Sequence, residues 1–66
     1  MDRPDYQQRV IDEREELRER SDRLDAFIAR PTFTNIDANE RERMTRQARI
    51  QRDLISVLNE RIEAFT

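Results

Sequence analysis

Glycine is absent from these 66 residues, and proline occurs only at Pro4 and Pro31. Those two prolines are the only strong interruptions to helix along the chain. Pro4 stands where a first helical turn would begin, a position that tolerates the missing N–H. Pro31 ends the segment behind it, because the residue before a proline is pushed out of helical geometry. Between them Glu, Arg, Leu and Gln dominate, all good helix formers, and the reading is a first helix over about residues 4–29. Residues 30–36 are the connector. Asp37 followed by Glu40 resembles a capping box, in which each side chain satisfies a free backbone N–H, and it predicts a second helix over about residues 37–65. A connector this short makes the two helices antiparallel neighbours.

The apolar spacing explains why they pair. Tyr6, Val10, Leu17, Leu24 and Phe27, with Ile28 beside them, follow a seven-residue pattern on the first helix. Met44, Ala48, Gln51, Ile55, Leu58, Ile62 and Phe65 step alternately by four and three on the second. Both are seams of the coiled-coil kind. A loop that simply closes the hairpin sets Leu24 near Met44, Leu17 near Ile50 and Val10 near Val57. Gln47 and Gln51 are polar where leucine is expected, as in seams whose buried polar residues fix register or oligomer state.

The second helix also carries more apolar surface than one partner covers. Ile50, Leu54 and Val57 form a second stripe, and Ile11 lies off the seam of the first helix. Exposed apolar patches of this kind mark interfaces. A domain of 66 residues also needs a staple, and with no Cys and no His neither disulfides nor thiolate or imidazole metal ligands are available. Self-association remains. The expected fold is all-α: one domain over residues 1–66, an antiparallel two-helix hairpin assembling into a helical bundle as a homo-oligomer, with Ile50, Leu54 and Val57 at the oligomer interface.

Charged residues make up 42% of the chain, yet the net charge is only −2, and every one of the 13 basic residues is Arg. Near-neutrality makes nucleic acid an unlikely partner, since sequence-independent duplex binding depends on neutralising phosphates. Asp5–Arg9, Glu16–Arg20, Glu19–Arg23 and Glu42–Arg46 place acid before base at i,i+4, the favourable order for a solvated helix face. No apolar run approaches the roughly 20 residues that cross a bilayer, and no signal segment opens the chain. A cytosolic protein with no membrane partner is expected.

Catalysis is difficult to build from these residues. Without His or Cys, Ser21 and Ser56 lack a base of the usual kind. Adjacent acids such as Glu15 and Glu16 diverge around a helix, and the Glu-x-x-His motif of bundle di-metal sites is missing. No catalytic residue, metal ligand or cofactor is assigned, and the expectation is a binding protein. Tyr6, Gln7, Gln8 and Arg9 cluster at the start of the first helix, where antiparallel pairing brings Asn59, Arg61 and Phe65 alongside. Tyr and Arg together can stack on a base and grip a phosphate. Tyr6, Gln8, Arg9 and Arg61 are the candidate ligand-binding set. The plainer alternative makes Tyr6 the last layer of the seam and the arginines solvated. Phe33, among Arg30, Thr32 and Asn35, is expected to plug the open end of the hairpin.

The run Tyr6-Gln7-Gln8-Arg9-Val10-Ile11-Asp12-Glu13, then Leu17, Leu24, Phe27-Ile28, Phe33, Glu40, Gln47, Leu58, Arg61-Ile62 and Phe65, resembles a family of small phage and prophage proteins known by relation to a crAss-like-phage open reading frame. The chain departs from that pattern at Gln51 and Leu54, where Met and Tyr are common. The resemblance implies a phage accessory protein of the cytoplasm of a bacterial host, in a class dominated by host takeover and counter-defence. Two modes follow from it. One is a sponge that traps a cyclic nucleotide immune signal at oligomer interfaces; the other is an inhibitor that covers a host defence protein with a helical face.

Overall fold

A computed structural model describes residues 3–65, so the ends of the single domain expected over 1–66 lie outside the described residues. Helix α1 runs Asp5–Ile28, a 3-10 helix spans Pro31–Asn35, and α2 runs Ala38–Glu63. Pro4 is the N-cap of α1, and its carbonyl accepts from the Gln7 and Gln8 amides at 3.0 and 3.2 Å. At the other end the Ala29 amide bonds back to Asp25 and the Arg30 amide to Phe27, both at 3.1 Å, before Pro31 stops the turn.

Asp37 caps α2 as its sequence position predicts, with Oδ2 accepting from the Asn39 and Glu40 amides at 3.0 and 3.4 Å. The capping box is only half formed. Glu40 turns its carboxylate to Arg43, 2.7 Å away, in place of reaching back to the Asp37 amide. An exposed ion pair one turn along competes easily with a backbone contact of similar strength.

The molecule is a rod of 51 × 14 × 14 Å. Its radius of gyration, 15.2 Å, exceeds the roughly 11 Å of a compact chain this long. Such a rod encloses little. Among the described residues only Val10, Ala48, Leu58 and Ser21 are buried, at 7, 2, 1 and 3% exposure, with Met44, Gln51, Ile55 and Ile62 half-buried along α2 and Phe65 half-buried just beyond it. Those are the seam positions the heptad spacing assigns. Gln47 is the exception: it is exposed, and its four- and three-residue steps lead to Ile50 and Leu54. Gln51 alone of the two glutamines faces α1, and its Oε1 is buried without a hydrogen-bond partner.

The register differs from the simple closure. Tyr6 meets Phe65, and Arg14 Nη1 donates to Asn59 Oδ1 at 3.1 Å. The alternative of Leu17 against Ile50 and Val10 against Val57 would hide Ile50 and Val57, which are 56 and 49% exposed. Relative to that expectation α2 is displaced by more than one helical turn. The connector is the cause. Five of its seven residues form a 3-10 helix about 10 Å long at 2 Å per residue, which carries the chain onward before it reverses. The start of α2 therefore packs on this connector as well as on α1.

Of the i,i+4 pairs read from the charge pattern, none closes an ion pair among the described residues. The pairs that form are Arg14–Glu15, Arg43–Glu40 and the interhelical Arg52–Asp25 at 3.0 Å. Long exposed side chains gain only tenths of a kcal/mol from the i,i+4 contact, too little to hold them in one rotamer.

Candidate ligand-binding site at the hairpin end

Tyr6 lies one residue inside α1 and Phe65 just beyond α2, and the register brings their rings edge to face, with centroids 5.9 Å apart and planes at 81°. The pair is the last layer of the seam, and it fixes how the rod ends. Tyr6 is nevertheless 57% exposed, because no further layer covers it. Its hydroxyl accepts a long, weak bond from Gln7 Nε2 at 3.4 Å. Tyr6 is thus the last layer of the seam, the plainer of the two readings, and part of its surface stays exposed.

Arg9 stands one turn along α1 from Tyr6, and Arg61 one turn before Phe65 on α2. Both are exposed, and neither forms an ion pair among the described residues. Gln8 is differently placed. Its Nε2 donates to Asp12 Oδ1 at 2.9 Å, leaving its carbonyl oxygen as the group to offer a ligand. Asn59, read from the sequence as a neighbour of this end, is held by Arg14.

The apolar stripe runs into this corner. Ile50, Leu54 and Val57 are 56, 44 and 49% exposed, and Arg61 follows Val57 at i,i+4 on the same face. At the opposite end Phe33 packs edge-on against Phe27, centroids 6.3 Å apart, which is the plug its position predicts.

Phe33 also borders a feature that sequence reasoning missed. An open cleft of about 620 Å³ lies along the first half of α2, lined by Arg41, Arg46, Arg49, Arg52, Thr45 and Phe33. The signal was present as a local imbalance: residues 41–52 hold five arginines and one acid, Glu42. Near-neutrality of the whole chain hides it.

Among the described residues no group of three or more His, Cys, Asp or Glu is placed to hold a metal ion. No described helix is long and apolar enough to cross a membrane. No curated protein and no solved structure matches the chain. The Sequestin family model matches it over residues 4–64, a span that takes in both helices, the connector, the Tyr6–Glu13 run and Arg61. This chain belongs to the Sequestin family.

Proposed function

We propose that this protein acts by sequestration, without catalysis: it assembles with copies of itself and holds a phosphate-bearing nucleotide, a cyclic oligonucleotide of bacterial immunity, at sites formed between protomers. The family name denotes sequestering. The observation that carries the ligand class is the exposed Tyr6 ring, braced by Phe65, with the exposed Arg9 one turn along from Tyr6 and the exposed Arg61 one turn before Phe65. A base stacks on the ring and a phosphate accepts from the guanidinium forks. The resemblance to small phage hairpin proteins supports a counter-defence role in the cytoplasm of an infected bacterium.

Two observations support the assembly. The accessible surface, 5331 Å², exceeds by several hundred Å² the roughly 4,500 Å² of a compact monomer of this mass. That excess is comparable to the ~800 Å² one partner buries in a standard interface. The stripe is also self-complementary. A second copy laid antiparallel sets Leu54 on Leu54 of the other chain and Ile50 on its Val57. The same alignment carries Arg61 beside Gln47 of the second copy, adding an amide to a site that a single rod leaves open.

Calorimetry against cyclic mono-, di- and trinucleotides tests the ligand. Tyr6→Ala should weaken binding about tenfold to a hundredfold, since base stacking on an aromatic ring is worth ~1–3 kcal/mol. Tyr6→Leu, which keeps apolar packing on Phe65, should bind as poorly as Tyr6→Ala. Arg9→Ala should weaken binding in a salt-dependent way. If no nucleotide binds and the wild type instead takes up one host defence protein stoichiometrically on the Ile50–Leu54–Val57 stripe, the inhibitor mode replaces this one.

A further inference from the structure

The arginine cleft of α2 shares no lining residue with the Tyr6 end, and its argument stands independently of that site. Arg43, Arg46, Arg49 and Arg52 follow one another at i,i+3, and Arg41 precedes Thr45 and Arg49 at i,i+4. Like charges at these spacings repel and weaken a helix. A purely solvated face would interleave acids, as much of α1 does with Asp12, Glu13, Glu15, Glu16 and Glu19 among its arginines.

Little inside the hairpin compensates. Arg43 is paired with Glu40 and Arg52 with Asp25, but Arg41, Arg46 and Arg49 close no ion pair among the described residues. Glu42 is the only acid lining the cleft. Arg41 lines the cleft half-buried, and its Nε, shut off from solvent, meets no acceptor within the hairpin.

We propose that this cleft binds a small anion carrying at least two phosphate groups, within a single hairpin. The guanidinium fork matches phosphate oxygens in pairs, and the Thr45 hydroxyl supplies a further donor. Phe33 provides an aromatic surface for an attached ring. The volume, about 620 Å³, falls in the range of small-molecule sites, roughly 300–1,000 Å³. Arg41, Thr45, Arg49 and Arg52 centre roughly 150° around α2 from the Ile50–Leu54–Val57 stripe, so assembly through the stripe leaves them open, while Arg46, at i,i+4 before Ile50, stands on the border between the two.

The test is calorimetry of the intact protein with inorganic pyrophosphate and with ATP, at low and physiological salt. The expected result is one site per chain for either probe, weakened at least tenfold in the double variant Arg46→Gln, Arg49→Gln and unchanged in Tyr6→Leu. Both substitutions fall on exposed helical positions, and circular dichroism checks that helicity is kept. Arg41→Gln, tested separately, should weaken both probes as well. The proposal is overturned if neither probe binds at millimolar concentration, or if the double variant binds as the wild type does. It is equally overturned if Tyr6→Leu abolishes the same binding, which makes the two places one site. Loss of self-association in the double variant would assign the cleft to contacts with the acidic face of another copy, and tighter binding of single-stranded DNA than of ATP would assign it to nucleic acid. Because Tyr6→Leu and the arginine variants are read separately, failure here leaves the Tyr6 site standing, and the converse also holds.

Discussion

Arg14 on α1 and Asn59 on α2 are joined by a 3.1 Å hydrogen bond across 45 residues of sequence, and that bond records the register of the hairpin. Arg14 is largely covered, with 23% side-chain exposure, so the bond is sheltered from competing water. Arg14→Ala is expected to lower stability by about 1.5 kcal/mol, the scale of a hydrogen bond to a charged group. In a domain this small the midpoint of thermal unfolding should fall by several degrees, roughly 4–8 °C per kcal/mol. Nuclear Overhauser contacts from Arg14 to Asn59 are expected; contacts to Asp53 in their place would restore the simpler register.

Gln51 faces the seam with a buried, unpartnered Oε1. Gln51→Leu removes that unsatisfied acceptor and adds apolar packing, so the hairpin should become more stable by about 1–2 kcal/mol. Urea unfolding measures this. A loss of stability would show that an ordered water or a second copy satisfies the amide.

Asp37 supplies the side-chain cap of α2 through its contacts with Asn39 and Glu40. Asp37→Ala should cost about 1 kcal/mol, the usual penalty for losing a cap of this type. Thermal unfolding followed by circular dichroism would show it as a lowered midpoint with little change in folded helicity. An unchanged midpoint would mean that packing of the connector alone holds the start of α2.

Leu54 and Val57 form the centre of the exposed stripe, at 44 and 49% exposure. Replacing both with Glu should break the proposed homo-oligomer, because like charges would face one another across the proposed contact between copies. Light scattering of the wild type and the variant at micromolar concentration reads the outcome. A monomeric wild type would remove the assembly from the account.

The helices were legible in the sequence because their limits rest on local chemistry. Pro4, Pro31 and Asp37 mark boundaries that agree with Asp5–Ile28 and Ala38–Glu63 to within one or two residues. The buried face of α2 was legible as well, since Ala48, Gln51 and Leu58 are set by helical period alone. The register was not. It depends on how far the connector advances before the chain turns, and nothing in Arg30–Ile36 advertises a 3-10 helix over a tight reversal. Gln47 was misplaced for a related reason: one residue of phase separates the seam from the stripe, and Gln47 continues the stripe of Ile50 and Leu54. Tyr6 and Arg61 could be brought to one end by antiparallel pairing, whereas the Arg41–Arg52 cleft needed the position of Phe33, which only the folded connector supplies.

Native mass spectrometry of protein purified from infected-cell lysate tests the central claim, sequestration by an assembled hairpin, most directly. It reads subunit number and retained small ligand in one spectrum. The account predicts an oligomer that carries nucleotide-sized mass and releases it on denaturation, and a Tyr6→Leu variant of the same subunit number from which that mass is gone. A monomer without retained ligand, or a ligand retained equally by the variant, would contradict it.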